Sequence, residues 1–477
     1  MKTGNYIQRR AGHSASSPNA AVLVIVLWIA FGLVSIALYF GQSMLFNLQA
    51  ADNYEASVEA DQAIEGAARY VSAVLTNLQV QVQSQGTNMP GVLILPGVIQ
   101  AYTPQSGQTP FTQSYQGQDT PVGNAHFWLI GRDAGGTSNV NSGVPVFSLV
   151  DEASKLNLNT ATLDMLEALP FMTPDLAASI LNWRTNATTV VAGGAKLEYG
   201  MLNPPYTCKN APFETIDELK LVIGATTDIL YGVDINLNGI LDANENNQNT
   251  LQTAANLDGG LNAGILEYVT VYSREPNTQI DGTARTNING GQTGLRTALQ
   301  KALSTDRVSQ ILQSAGRNTT YTSVLQFYIR SGMTADEFAQ VADALTVSTD
   351  PYIQGLVNVN TASATVLACL PGIGVNNAQT LVTYRQTHPD QLATVAWVTQ
   401  ALGNDAATQA GPYITAKSYQ LTADVVAIGH HGRGYRRTLF VFDTSGGTPQ
   451  IIYRRDLNQM TRALGTARQN WQLTGNM

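Results

Sequence analysis

The sequence predicts an α+β protein: a long N-terminal helix packed on an antiparallel sheet, with a large helical insertion in the chain between the strands. Three observations predict it. An unbroken apolar run, "AAVLVIVLWIAFGLVSIALYF" (Ala20–Phe40), leads into a proline-free amphipathic stretch. Short strand-like segments lie towards both ends of the remainder. Between them one design occurs twice, "LNLNTATLDMLEALPFMTPDLAASILNWR" (Leu156–Arg184) and "VNVNTASATVLACLPGIGVNNAQTLVTYR" (Val357–Arg385), and the copies align without a gap.

The apolar run comes first. About 21 helical residues at 1.5 Å each span roughly 32 Å, the depth of a bilayer core. Residues 1–19 carry Lys2, Arg9 and Arg10 and no acid. The positive-inside rule therefore leaves this leader in the cytoplasm and exports the bulk of the chain. We assign 20–41 to a single transmembrane helix and 42–85 to its exported continuation. Ile64, Ala68, Val71, Leu75 and Leu78 recur at three- and four-residue steps and mark one apolar stripe. Asp52, Glu55, Glu59, Asp61 and Glu65 fall on the solvated side.

Residues 86–150 read as strands and loop, with "HFWLIGRD" and "PVFSLVDEASKLNLN" as apolar runs between turn residues. Residues 151–262 hold the first repeat unit. Residues 263–350 read as a connection, with a strand over 265–275 and helices over 295–314 and 323–347. The second unit occupies 351–412. The tail, 413–477, supplies three strands of an antiparallel meander, "SYQLTADVVAIG", "RRTLFVFDT" and "PQIIYRRD".

In each unit an Asn-x-Asn-Thr-Ala stretch opens a helix, with Thr160 or Thr361 expected as N-cap. Pro170 or Pro371 closes that helix, and a short hairpin leads to a second helix ending at Arg184 or Arg385. This is a helix-hairpin-helix design. The second copy has "PGIG" (Pro371–Gly374) at its hairpin, where bare backbone N–H groups could meet a phosphate. The first has "PFMT", which places Phe171 and Met172 there. Around the second hairpin no Lys or Arg occurs before Arg385, and the whole chain carries a net charge of −8 with a pI near 5.1. Phosphate-tracking surfaces recruit several cations. Both units are therefore expected to pack or to contact protein rather than DNA.

"DINLNGILDANE" (Asp234–Glu245) satisfies the calcium-loop pattern D-x-[DN]-x-[DN]-G-x5-E. Asp234, Asn236 and Asn238 supply side-chain oxygens, Gly239 allows the sharp turn, and Ile240 offers its carbonyl. Asp242 acts through water and Glu245 closes the site with both oxygens. Leu241 is expected to pack inward. Three carboxylates predict modest affinity and a structural ion. "NLDGG" (Asn256–Gly260) reads as a decayed second loop.

No nucleophile elbow, P-loop, dinucleotide fingerprint or zinc-protease motif occurs. His13, His126, His388, His430 and His431 lack partners at ligand or triad spacing, and His430-His431 read as a solvated hairpin tip. Asp151-Glu152 read as a turn or a calcium contact. Cys208 and Cys369 sit in no metal-binding spacing and read as small core residues, with a disulfide as the alternative. The expectation is a non-enzyme with no catalytic residues.

These parts together resemble the minor pseudopilin K family of type II secretion. The resemblance rests on the basic leader, the membrane helix with its amphipathic continuation, "LVDEASKLNLNTA…ILNWR", "PYTCKNAPFETIDELKLVIG" and "LVNVNTASATVLACLPGIG…LVTYR". It implies a pilin-type helix and α/β body interrupted by a helical insertion with two SAM-like units. It also implies an inner-membrane, periplasm-facing protein at the tip of a pseudopilus. Its partners would be other minor pseudopilins, secretion-system components and secreted substrates. Members lack the acid at the fifth mature position, and no carboxylate precedes Asp52 here. Two departures stand out. The candidate processing glycine, Gly12, is followed by "HSASSPN" before the apolar run, and Gly/Asn/Thr-rich loops lengthen the chain near 100–145 and 246–292. The rival reading is a membrane-anchored DNA-uptake protein, because "VNVNTA…LPGIG" also resembles competence-type DNA receptors. A calcium-dependent surface adhesin is a third.

Overall fold

The computed structural model describes residues 18–84, 117–132, 143–186, 188, 190–242, 245, 261, 263–279, 281–316, 319–460 and 463–468. The leader with Gly12 and His13, and the segment Asn256–Gly260, lie outside them. The chain opens with α1 (Pro18–Ser84), β1 (Thr120–Val122), β2 (Ala125–Ile130) and β3 (Val150–Asp151). There follow β4 (Leu156–Asn157), α2 (Leu163–Glu167), α3 (Pro174–Arg184), α4 (Thr227–Tyr231), β5 (Val269–Thr270) and β6 (Arg274–Pro276). Next come β7 (Thr286–Asn287), α5 (Gln292–Gln300), α6 (Thr305–Ala315), α7 (Val324–Ser331), α8 (Ala335–Val341), β8 (Leu345–Thr346) and β9 (Tyr352–Gln354). The chain continues with β10 (Val357–Asn358), α9 (Ala364–Ala368), α10 (Gly374–Thr387), α11 (Trp397–Leu402), α12 (Asn404–Ala410) and β11 (Ile414–Thr415). It closes with β12 (Gln420–Ile428), β13 (Arg436–Asp443) and β14 (Gln450–Asp456).

α1 is one helix of 67 residues, about 100 Å long. Its first part, Val22 to Leu48, leaves every large apolar side chain exposed. This is a helix long and apolar enough to cross a membrane. Its second part buries Ala56, Ala60, Ala63, Ile64, Ala67, Ala68, Val71 and Leu75. The predicted stripe is thus the packing face, and alanines let the helix lie close against the sheet. Leu78 is helical, but its side chain lies outside the described residues.

The sheet runs β1-β2-β12-β13-β14, with β3 also paired to β12. All its pairings are antiparallel. One face, Ala125, Phe127, Leu129, Leu421, Ala423, Val425, Ala427, Phe440 and Phe442, forms a core with α1. The other face bears Trp128, Ile130, Val426 and Ile428 on one side and polar residues opposite the insertion on the other. All nine residues of β12 are therefore buried. Everything between β3 and β12 is insertion, so a sheet split in sequence is joined in space.

The insertion contains three copies of one design. In each, a two-residue strand pairs in parallel with a strand far along the chain: β4 with β5, β7 with β8 and β10 with β11. Asn157, Asn287 and Asn358 occupy equivalent places, and each side-chain oxygen accepts from the backbone N–H two residues on. The middle copy, 286–346, lies where the sequence predicts only a connection of strand and helices. Its helices α5 and α6 make a helix-turn-helix with its own core, centred on Leu299, Val308, Ile311 and Phe327. The first and third copies share one continuous core.

Several local expectations are corrected. The strand expected over 265–275 is broken into a 3-10 turn at Ile265–Glu267 and the short strands β5 and β6. The stretch 323–347 is two helices, a 3-10 turn and β8, because Gly332 takes a left-handed φ of 65° after α7. Strand β11 belongs to the third unit rather than to the terminal sheet.

Candidate functional site

The helix caps sit two residues later than expected. The Asn157 and Asn358 side chains fold the chain into Asx turns, which delays the helices. Thr162 caps α2 and Ser363 caps α9. Thr160 instead donates to the Asn157 carbonyl, and Thr361 to the Asp151 carboxylate at 2.5 Å.

The two hairpins keep one backbone shape with different chemistry. Gly372 has φ 79°. Its counterpart Phe171 adopts φ 60° despite its side chain, and is buried. A Cβ added at Gly372 would lie 2.5 Å from the Ala406 carbonyl oxygen and 2.6 Å from Gln409 Cβ. The glycine turn is therefore pressed against α12, where a phosphate would have to sit. Gly374, at φ 64°, faces open space. Arg385 is buried and donates to the carbonyls of Val359 (3.0 Å) and Ala362 (2.6 Å). Arg184 does the same for Leu158 and Ala161. Each arginine clamps the loop opening its own unit and is not offered to a ligand.

The loop 234–245 lies against the sheet. Asp234 is buried, and its two oxygens accept from the backbone N–H groups of Asn238 (2.9 Å) and Gly239 (2.8 Å). Gly239 has φ 77°, as the tight turn requires. Glu245 accepts from the N–H groups of Ile235 and Asp242, and so already spans the loop. Asn236 and Asn238 both donate to Asp242 Oδ2. Asn236 Oδ1 is buried without a hydrogen-bond partner. Burial raises the Asp234 carboxyl. Burial, with the nearby charges of Asp234 and Asp242, pushes Glu245 up to about 7. Three carboxylates gathered at low exposure with an orphaned amide oxygen are what a divalent cation would satisfy, so the donor set fits calcium. Ile240 is buried and Leu241 only half-buried, so the inward apolar anchor is Ile240.

The back of this loop is gripped by the sheet. Fully buried Arg437 pairs with Asp424 and donates to the carbonyls of Asn236 and Leu237. Arg132 pairs with Glu267 at 2.7 Å and donates to Leu237 as well.

Residues 146–232 match the family described as type II secretion system protein K, and residues 353–410 match a helix-hairpin-helix motif. No curated protein matches the chain. Among solved structures, the GspK-GspI-GspJ complex from the enterotoxigenic Escherichia coli type 2 secretion system matches at 10% identity. That match covers 86% of this chain and 99% of that one, with a TM-score of 0.36.

The acidic pair Asp151-Glu152 sits at a turn, as expected, with Asp151 capping the 3-10 turn Glu152–Ser154, and both side chains are buried. It is the polar seam between sheet and insertion. Asp151 accepts from Asn358, Thr361, Ser418 and the Ala153 N–H. Burial pushes it up to about 6 against those four donors. Glu152 takes the hydroxyls of Thr270 and Thr422. Cys208 and Cys369 are separate buried thiols.

Of the solvated tip expected at His430-His431, His431 is exposed as expected, but His430 is not. His430 is half-buried against α1, with Asp52 at 2.9 Å and Glu59 at 2.6 Å. Its partners lie more than 370 residues earlier in the chain, beyond the reach of any spacing rule. The only sequence signal was the glycines on either side, Gly429 and Gly434. Any Cβ there would strike the Ala56 carbonyl oxygen at 2.2 Å.

Proposed function

We propose that this minor pseudopilin of type II secretion ends the periplasmic pseudopilus, anchored by α1 in the inner membrane with its body in the periplasm. It supports export of folded proteins and performs no catalysis itself. The observation that carries this reading is the division of α1. Its first half is exposed and predominantly apolar, suited to lipid and to neighbouring pilin-type helices, while its second half packs under the body's own sheet. No carboxylate precedes Asp52, so that half offers no acid to a subunit above it. The insertion makes the body much larger than the sheet-and-helix core, which suits the end of a fibre better than its repeating shaft. The partners are then other minor pseudopilins, as in the GspK-GspI-GspJ complex that the chain matches, with secreted proteins or the outer-membrane channel meeting the insertion.

We further propose that Asp234, Asn236, Asn238, the Ile240 carbonyl, Asp242 and Glu245 hold a structural calcium ion. Arg132 and Arg437 carry the order of that loop to the sheet.

The DNA-uptake reading draws on the helix-hairpin-helix match over 353–410. The covered Gly372 and the internally engaged Arg385 count against it. The test is deletion of the gene in its host. Accumulation of folded exoproteins in the periplasm, restored by the wild-type chain, supports the proposal. Normal secretion with lost DNA uptake would overturn it.

A further inference from the structure

We propose that Asp52, His430 and His431 bind a divalent transition metal of the zinc class, pinning the β12–β13 turn to α1. The turn straddles the helix at Ala56, since Gly429 and Gly434 both abut that carbonyl. Asp52 lies one turn before this point and Glu59 one turn after.

The His430 ring sits between the two carboxylates. Glu59 Oε2 is 2.6 Å from Nδ1 and also accepts the His430 backbone N–H at 3.1 Å. Asp52 Oδ1 is 2.9 Å from Nε2. A neutral imidazole has one N–H. With that hydrogen given to Glu59, the Nε2 atom faces a carboxylate oxygen at hydrogen-bond distance. A second ring proton can bridge that pair, and a metal ion held by Nε2 and Asp52 can take the proton's place. The contact to Glu59 is then the outer carboxylate that fixes the tautomer of a metal-bound histidine.

The third ligand is already at hand. His431 holds a left-handed backbone (φ 54°, ψ 24°), with its ring 5.0 Å from that of His430. One ligand atom from each of Asp52, His430 and His431 can be chosen so that all lie within 4.8 Å of one another. Zinc bonds of about 2.0–2.2 Å place tetrahedral ligands about 3.3 Å apart. The Asp52–His430 separation is near that already, and the exposed His431 is free to swing in. Two imidazoles and a carboxylate favour zinc over calcium, unlike the all-oxygen set of the 234–245 loop. Arg433 holds the other oxygen of Asp52, which orients the carboxylate and tempers the affinity. The bound ion would tie α1 to the body just past the end of its exposed apolar part at Leu48.

The test is a zinc titration of the full chain in detergent by calorimetry, at pH 7.5 with excess calcium to fill any oxygen site. Cobalt absorption gives a second readout. His431→Asn keeps a residue that tolerates the left-handed region and removes the third ligand, and its circular dichroism checks folding. We expect one zinc ion per wild-type chain and binding at least about 10-fold weaker in this variant. Glu59→Gln should weaken binding by about 10–100-fold. His388→Ala, on α10, should leave it unchanged. Absence of saturable zinc binding, or equal binding by wild type and His431→Asn, would overturn the proposal.

Discussion

The two hairpin glycines separate a packing role from a phosphate-binding role. Both are left-handed, so alanine at either should cost about 1–2 kcal/mol in backbone strain. Only Gly372 also meets a neighbour. Its new Cβ would lie 2.5 Å from Ala406 O, and the carbonyl belongs to helix α12, which must move. Overpacking of that kind adds about 1–3 kcal/mol. Gly372→Ala should therefore lose about 2–5 kcal/mol of local stability, while Gly374→Ala should lose only the strain. Hydrogen exchange on peptides covering α9, α10 and α12 reads this directly. Opening should become about 5–30-fold more frequent for Gly374→Ala and at least about 30-fold for Gly372→Ala. Equal protection in the two variants, with DNA binding lost in both, would refute the packing argument.

Three further outcomes follow from the site geometry. Arg437→Met strands the buried Asp424 charge and frees the Asn236 and Leu237 carbonyls, so urea unfolding should show a loss of about 3–5 kcal/mol, with weaker calcium binding. Calcium at about 100 times its Kd should stabilise the chain by about 3 kcal/mol. Chelation should reverse this, and Asp234→Ala should remove the calcium dependence in the same melts. The Asp151 carboxyl titrates near 6 folded against 3.8 unfolded, so the native state holds its proton more tightly. Its contribution is largest below about pH 4 and falls by about 3 kcal/mol as the pH rises through 6. Asp151→Asn should flatten that slope in a stability–pH series.

Much of this was legible in residues that obey local rules. The apolar run of α1, its stripe and the three terminal strands declare themselves by periodicity. The first and third units declare themselves by likeness to each other. The middle unit was hidden because it keeps only the Asn287-x-Asn289 signature. It lacks the Leu-Pro hairpin and has Ser314 where the clamping arginine would fall. Asn289 still exchanges hydrogen bonds with Tyr321, as Asn159 does with Phe213. "TNIN" followed much later by "LTVS" was the available clue. The cap positions were misplaced because the Asx turn of Asn157 competes with the helix start. The roles of Asp151, Arg437 and His430 were not legible at all. Each depends on partners from distant segments that only the split sheet brings together.

The central claim is that this chain works among pseudopilins through α1 and uses its hairpin units as architecture. The most direct measurement is co-purification of the full chain from membranes of cells that also express the other minor pseudopilins of its system, followed by addition of labelled duplex DNA. The account predicts a stable stoichiometric complex whose fluorescence anisotropy stays flat at low salt. A chain that purifies alone and binds DNA in a salt-sensitive manner, with binding lost on changing Gly372 and Gly374, would contradict it.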